Sequence, residues 1–306
     1  MPDWDERVLN VVTAGRLGQF LWLYQPKLAA LLTHPYSAAM TQSPTILILA
    51  GKRDGKLDPL AERAGVSHKC RVPIMGKALL QWVVEAVGPA FPDARVFISI
   101  HDPDVIADLP GVAELKATGR LHMCKAQAGI VESVEAAIAE AGGDSAFPLM
   151  ITTADNVLAE PAYLRGVHEA AMLSDGDAVV VLASRESIRA AHPDGQRKFY
   201  EFSDVAISNC NVFWLRNRSA LAATEAFREG GQFAKNRARI AKAFGYWNLV
   251  RFRFGWWSLD GAFRAISRRF GVRVVPHVTP DGAFAIDVDN ERTYGVAELL
   301  LQQRKG

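Results

Sequence analysis

Short, continuous apolar runs separated by polar stretches form the strongest pattern along the chain. The first run covers 45–50, and others cover 96–100, 149–153 and 177–183. Such runs are typical of parallel strands buried on both faces, because a strand with one solvated face alternates apolar and polar residues. A weaker run at 122–124 predicts one further strand.

Helical patterns lie between these runs. We predict helices from about 77 to 87, from about 132 to the glycine pair at 142–143, and from Pro161, since proline suits the first turn of a helix. The alternation of strands and helices predicts an α/β fold with a mostly parallel, doubly wound sheet of Rossmann-like type.

The two ends of the chain follow this pattern less well. Residues 1–43 are predicted to form a separate N-terminal extension, and 44–306 the main domain. After 205 the pattern predicts a strand at 205–215 and short edge elements at 273–275 and 284–286. We therefore expect a small, irregular C-terminal subdomain.

Composition excludes several classes of protein. The 306 residues include 35 basic and 33 acidic side chains, a net charge of +2 that indicates no nucleic-acid partner. The 3 cysteines are far apart, which favours reduced thiols in a cytoplasmic protein. No stretch approaches the roughly 20 apolar residues that span a bilayer, and the acidic N-terminus is unlike a signal peptide.

Basic residues recur between 228 and 273, a distribution that favours an anionic partner or a solvated surface. Within this stretch, aromatic side chains alternate with arginines at 245–257. We keep two interpretations of that segment open. It either packs inside a small subdomain or lies peripherally on a membrane, where it presents a lipid-precursor acceptor.

Candidate chemistry follows the strands, because ligands of open α/β sheets bind outside the carboxyl ends of the strands. Ala50, Gly51, Lys52 and Arg53 come directly after the first strand. A glycine there lets backbone amides approach a triphosphate, and the basic side chains neutralise its charge.

Acidic residues occur at two further strand ends. Asp155 follows the strand at 149–153, where a carboxylate either binds a metal ion that bridges phosphates or caps the next helix. Asp287 and Asp289 precede the last helix and lie on one face of an extended segment, since strand side chains alternate with period two. We choose Asp289 as the second metal ligand, with Asp287 as the alternative.

Several of these segments resemble one family of enzymes. The opening LAGKRDG, followed by KCRVPIMGKALLQWVV, is similar to the glycine-rich loop and lysine loop of the MobA-like NTP transferases, which have a GT-A-type fold. TTADNVL resembles the family's metal-binding segment, and AIDVDNER resembles its closing Asp-Val-Asp-x-Pro-Glu element. The chain departs from the family with Lys52 in place of a second glycine, Ala78 in place of proline, and Asn290-Glu291-Arg292 in place of x-Pro-Glu.

The resemblance implies roles for individual residues. Lys69 and Arg53 would contact the triphosphate, and Asp155 and Asp289 would bind Mg²⁺. Ser133 would lie near the base and ribose, although it is equally suited to capping a helix. Lys198 and Asn211 would face the acceptor, with Cys210 in place of the family's second glycine weakening this assignment.

These assignments predict a Mg²⁺-dependent nucleotidyltransferase. It would transfer a nucleoside monophosphate from a nucleoside triphosphate to a phosphorylated small-molecule or lipid-precursor acceptor and release pyrophosphate. Two alternatives remain open: a metal-dependent glycosyltransferase of the same fold, and a nucleotide-binding, membrane-associated protein. Glycosyltransferases commonly carry Asp-x-Asp in mid-chain, where this sequence has Asp155-Asn156-Val157. The lysine loop also fits a triphosphate better, and both observations favour the nucleotidyltransferase.

Overall fold

The computed structural model describes residues 42–52, 57–224 and 257–305. Apart from Gln42, these residues belong to one compact unit that starts at Ser43. The predicted extension at 1–43 lies almost wholly outside the described residues, so its separation from the main domain stays a prediction.

The described chain contains ten strands, most of which match the apolar runs of the sequence. They are β1 (Thr45–Leu49), β2 (Pro73–Ile74), β3 (Lys77–Ala78), β4 (Val96–Ile100), β5 (Leu121–Lys125), β6 (Leu149–Thr153), β7 (Ala178–Ser184), β8 (Tyr200–Glu201), β9 (Ala206–Leu215) and β10 (Val274–Thr279). Eight of them form the main sheet, and β2 and β3 form a separate hairpin.

The main sheet has the strand order β10-β7-β9-β6-β1-β4-β5, with β8 paired to β9. Pairing is parallel from β6 through β1 and β4 to β5, and between β7 and β10. Strand β9 is antiparallel to both of its long neighbours. The fold is therefore the mostly parallel α/β sheet that the sequence predicts.

Helices alternate with the strands along the chain. They are α1 (Pro59–Arg63), α2 (Leu79–Ala90), α3 (Pro110–Ala117), α4 (Ile130–Glu140), α5 (Pro161–Leu173), α6 (Arg185–Ala191), α7 (Leu221–Thr224), α8 (Leu259–Phe270) and α9 (Glu291–Lys305). Short 3₁₀ helices cover Lys69–Arg71, Pro103–Ile106, Gly143–Ala146, Arg218–Ala220 and Gly282–Ala285. None of the helices in the described ranges is both long enough and apolar enough to cross a bilayer.

Both faces of the central strands are covered. On one face, Leu47 packs in a cluster with apolar side chains of α4 and α8. Its neighbours Ile46 and Ile48 are fully buried, and strand side chains alternate, so the other face is buried as well. This double burial explains why the strands read as continuous apolar runs.

Two elements differ from the sequence prediction. The helix predicted from 77 begins at Leu79, because Met75 (φ 50°) and Gly76 (φ 79°) form a tight turn that pairs β2 with β3. The segment predicted as an edge element at 284–286 is a 3₁₀ turn, with the Asp281 side chain accepting a hydrogen bond from the Ala283 amide at 2.9 Å. In addition, helices α1, α3, α6, α7 and α8 were not predicted.

The 3₁₀ turn at Gly282–Ala285 packs directly on the start of α6. A Cβ atom on Gly282 would lie 2.1 Å from Ile188 N and 2.2 Å from the Ser187 carbonyl carbon. Because these are backbone atoms, they cannot move aside as a side chain would. Gly282 therefore fixes the path of the chain just before Asp287.

We expect Gly282→Ala to lower the free energy of unfolding by about 1–3 kcal/mol through overpacking. Gly166→Ala is the matched control, because Gly166 is exposed within α5 and an added Cβ would meet no atom within 4 Å. The control is expected to stabilise the protein by about 0.5–1 kcal/mol. Urea unfolding measures both, and equal effects of the two substitutions would contradict the close approach.

Candidate active site at the carboxyl ends of the strands

The loops that follow β1, β4 and β6 begin side by side. The Ala50 amide donates to the Ser99 carbonyl at 2.9 Å, and the Ala154 amide donates to the Leu49 carbonyl at 3.0 Å. These hydrogen bonds extend the sheet pairing by one residue beyond each strand. The glycine turn at Ala50–Lys52 and the acidic turn at Asp155 therefore leave the sheet at the same edge.

Gly51 is required by close packing rather than by its dihedral angles. A Cβ atom there would lie 2.9 Å from Ala126 Cβ and 3.3 Å from His101 Cε1. The next amide, of Lys52, donates to His101 Nδ1 at 3.2 Å. The turn therefore lies against the segments that follow β4 and β5, with its backbone close to the sheet edge.

Lys69 brings the lysine loop to the acidic residues. Its Nζ donates to Asp155 Oδ2 and, at 2.7 Å, to Asp289 Oδ1. Partial burial acts to lower the pKa of Lys69, but the charges of Asp155 and Asp289 outweigh it and raise this pKa above its ordinary value. The ammonium group is therefore charged at neutral pH, and it joins residues that are 86 and 220 positions away in sequence.

Arg71 anchors the same loop on its other side. Its guanidinium donates to Asp108 Oδ1 at 2.5 Å, to Asp108 Oδ2 at 2.9 Å, and to the Val105 carbonyl. A two-point guanidinium–carboxylate contact fixes direction as well as distance. Arg71 thus holds the 3₁₀ helix that presents Lys69, a role that the sequence pattern alone does not reveal.

Asp155 faces the site instead of capping a helix. Its Oδ1 accepts a hydrogen bond from Thr153 Oγ1 at 2.5 Å, and its Oδ2 accepts from Lys69. The next helix begins later, at Pro161, and the residue before it makes no side-chain capping hydrogen bond. Of the two interpretations of Asp155, the structure therefore contradicts helix capping, and metal binding stays a prediction.

Asp287 and Asp289 converge on Asp155. One carboxylate oxygen from each of the three residues lies within 4.8 Å of the other two. The Val288 amide donates to the Asp155 carbonyl at 3.2 Å, which attaches the C-terminal segment to the acidic turn. Both the chosen ligand, Asp289, and the alternative, Asp287, therefore belong to the carboxylate cluster.

Within the described residues, Lys69 is the cationic group that donates to this cluster, at Asp155 and Asp289. Loss of solvation raises the pKa of Asp287 well above its ordinary value, and the charges of Asp289 and Asp155 raise it further, while Lys69 opposes them. Among the described groups, ionisation of Asp287 therefore adds a negative charge that Lys69 does not fully offset. Hard oxygen donors in such a number are the ligand set that Mg²⁺ prefers.

Asn211 reaches the cluster from β9. Its backbone has φ 53°, next to an irregularity in the register between β7 and β9. Its Nδ2 donates to Asp287 Oδ2 at 2.9 Å. Asn211 was predicted to face the acceptor; the structure places it against the carboxylate cluster, while Lys198 is exposed on the segment between α6 and β8.

Ser133 is buried in α4, and its hydroxyl contacts backbone atoms. Its Oγ accepts from the Gln127 amide at 2.9 Å and donates to the Gly129 carbonyl at 2.8 Å. It thus shapes the loop that precedes α4, and its contact with a nucleotide stays a prediction. Arg53 and residues 245–256 lie outside the described residues, so their predicted roles stay predictions as well.

His101 is a site residue that the sequence analysis missed. It follows β4 and lies against both Gly51 and Lys52. Its position directly after a buried strand, at the same sheet edge as Asp155, is the signal that identifies it.

The electrostatics of the cluster predict that removal of the Asp287 charge stabilises the folded protein. Ionisation of Asp287 costs folding free energy as the pH rises from the ordinary aspartate range, because its pKa is raised in the folded state. We expect Asp287→Asn to raise the unfolding midpoint in EDTA by about 2–4 °C, which corresponds to about 1 kcal/mol in a domain of this size. Differential scanning calorimetry at pH 7.5 measures the effect.

Asp93→Asn serves as the control, because Asp93 is exposed and far from the cluster in sequence. Its midpoint is expected to stay within about 1 °C of the unsubstituted protein, as for most surface changes. A lower midpoint for Asp287→Asn than for this control in EDTA would contradict the surplus of negative charge.

The fold is shared with known transferases. A hypothetical transferase from Thermus thermophilus is 21% identical with a TM-score of 0.66, and the match covers 83% of this chain and all of that one. A 4-diphosphocytidyl-2C-methyl-D-erythritol synthase from Anaerococcus prevotii is 10% identical, with a TM-score of 0.53 over 86% of this chain and 99% of that one. A CMP:2-keto-3-deoxy-manno-octonic acid synthetase, solved with CTP, is 14% identical with a TM-score of 0.50. The match covers 86% of this chain and all of that one.

Comparison with curated protein sequences gives no match. A scan against family models matches the MobA-like NTP transferase domain over residues 46–239, which is more than half of the chain. This stretch contains the glycine turn, the lysine loop, Asp155 and Asn211. The chain belongs to the MobA-like NTP transferase family.

Proposed function

We propose that this protein transfers a nucleoside monophosphate from a nucleoside triphosphate to a phosphate-bearing acceptor, with Mg²⁺ and with release of pyrophosphate. The observation that carries the proposal is the convergence of Lys69 with three carboxylates beside the glycine turn. Family membership supports transfer from a nucleoside triphosphate. The acceptor is either a phosphorylated small molecule or a lipid precursor.

The reaction is an in-line displacement at the α-phosphorus. An acceptor phosphate oxygen forms a new P–O bond while the bond to the β-phosphate breaks, and the electron pair leaves with pyrophosphate. A phosphate monoester is already ionised at neutral pH, so no general base is needed. Catalysis then depends on positioning and on stabilising charge.

The donor triphosphate is placed at the glycine turn. The close approach of Gly51 to Ala126 holds the turn against the sheet edge. We expect backbone amides of the turn and the Lys52 side chain to contact phosphate oxygens there. Lys69 adds a permanent positive charge, because its pKa is raised and it cannot serve as a proton acceptor at neutral pH. This charge stabilises the pyrophosphate that leaves.

Asp155 and Asp289 would hold Mg²⁺, with Asp287 as a third oxygen donor. When bound, the ion neutralises charge on the phosphates and orients them. Thr153 donates to Asp155, and Asn211 donates to Asp287. These two hydrogen bonds orient the carboxylates without occupying all of their oxygens.

Nucleotide binding is tested by thermal unfolding with Mg²⁺ and each of ATP, GTP, CTP and UTP. The accepted nucleotide, at about 100 times its dissociation constant, is expected to add roughly 2.7 kcal/mol of stability. Replacing Mg²⁺ by EDTA should remove most of this protection, because the negative charges of the triphosphate and of the carboxylates then repel each other without a metal ion between them. Protection by none of the four would contradict the proposed donor site.

Turnover is tested with Asp155→Asn and a panel of phosphomonoesters, by measuring pyrophosphate release. We expect kcat to fall about 10²–10³-fold, the loss typical of removing one group that stabilises charge in the transition state. The amide oxygen can still accept a hydrogen bond from Lys69 while the amide nitrogen donates to the Thr153 hydroxyl, so the unfolding midpoint should change little. Asp93→Asn is the charge-matched control, and equal activity of the two variants would refute the role of Asp155.

A further inference from the structure

Two arginines gather around one acidic residue beside the carboxylate cluster. Arg292, the second residue of α9, donates through Nη1 to the backbone carbonyl of Asp194. Arg197 Nη2 lies 3.7 Å from the Asp194 carboxylate. Both arginines therefore contact Asp194, Arg292 at the backbone carbonyl and Arg197 at the carboxylate, so one carboxylate lies beside two guanidinium groups.

The segment that carries Asp194 and Arg197 is packed against the residues just before Asp287. Gly195 is buried, and a Cβ atom on it would lie 2.6 Å from Ile286 Cδ1. Because Ile286 is fully buried, it has little room to move. Close packing thus holds the backbone between Asp194 and Arg197 next to the segment that carries Asp287.

The electrostatics of Arg292 agree with this placement. Partial burial lowers the pKa of Arg292, and the charge of Arg197 lowers it further, whereas Asp194 and Asp287 oppose the shift. Arg197 itself remains accessible, with its side chain 70% exposed. Two guanidinium groups beside the one carboxylate of Asp194 make a site of positive potential near the acidic cluster.

This positive charge is a feature of the present chain. By the resemblance to the family's closing element, Arg292 takes the position of a glutamate, and Glu291 is the acidic residue beside it. The side chain extends from the first turn of α9 to the segment at 192–199, where it donates to the Asp194 carbonyl. A guanidinium group in place of a carboxylate favours an anionic ligand.

We propose that Arg197 and Arg292 form the binding site for the phosphate group of the acceptor, and that Arg292 makes the enzyme select a dianionic phosphomonoester. Two guanidinium groups offer paired N–H donors that match the oxygens of a phosphate. The assignment to the acceptor rests on the proposed function, whereas the affinity for phosphate does not.

The test measures binding of sn-glycerol 3-phosphate by isothermal titration calorimetry. Arg292→Gln and Arg197→Gln are each expected to raise the dissociation constant by about tenfold or more, as for loss of one charged hydrogen-bonding partner. Arg189→Gln, which removes an exposed arginine of α6, should stay within about twofold. Arg292→Glu, which introduces the acidic residue of the family pattern, should weaken binding further than Arg292→Gln.

A double-substitution cycle separates a shared ligand from two unrelated effects. If both arginines hold one phosphate, the loss in Arg197→Gln/Arg292→Gln is smaller than the product of the single losses. Dimethyl phosphate, which carries one charge, should bind more weakly than glycerol 3-phosphate to the unsubstituted protein. Equal affinity of Arg292→Gln and Arg189→Gln for glycerol 3-phosphate would overturn the proposal.

Vesicles of phosphatidylcholine with phosphatidic acid distinguish the two sources of a phosphomonoester. If Arg292→Gln reduces vesicle flotation, the phosphate belongs to a lipid; if only glycerol 3-phosphate binding is reduced, it belongs to a soluble molecule. Both outcomes support the arginine site, and no change in either assay overturns it. Protection by a nucleoside triphosphate is an independent measurement, and Arg292→Gln should be protected as well as the unsubstituted protein. If no nucleotide protects the unsubstituted protein, the proposed function is refuted and the arginine site is not.

Discussion

The ammonium group of Lys69 is the contact on which the site depends. It lies between Asp155 and Asp289, which come from the middle and the end of the chain. Without a cation at this position, three carboxylates would face one another across less than 5 Å, and their repulsion would separate the segments that carry them. The lysine therefore stabilises the arrangement and also supplies the charge that a triphosphate needs.

The surrounding contacts fix the positions of these charged groups relative to one another. Arg71 and Asp108 fix the lysine loop, Thr153 and Asn211 orient two of the carboxylates, and the Val288 amide attaches the C-terminal segment to the turn at Asp155. None of these groups needs to contact a substrate. Their common effect is preorganisation, which lets the site stabilise developing charge without rearranging during the reaction.

Much of this arrangement is predictable from local sequence, and the rest is not. The runs at 45–50 and 149–153 predicted buried parallel strands because both faces of the sheet are covered, and Lys69 and Asp155 were recognised from the segments around them. The hairpin at β2–β3 was missed because its turn uses positive φ at Met75, a residue that rarely adopts it. The contacts of Asn211, Arg71 and Arg292 were missed because each joins residues at least 34 positions apart.

The distribution of charge distinguishes the donor side of the site from the acceptor side in the proposed reaction. Negative charge is concentrated where Asp155, Asp287 and Asp289 meet. Lys52 lies on the glycine turn at the same sheet edge, and the segment that carries the arginine pair packs on Ile286. A donor and an acceptor that both carry phosphate repel each other in water. A cation held between them, with separate cationic groups for each partner, removes that repulsion and leaves the two phosphates free to approach in line. In the proposed arrangement Arg292 adds positive charge on the acceptor side alone, which is why it bears on the choice of acceptor and not on the choice of nucleotide.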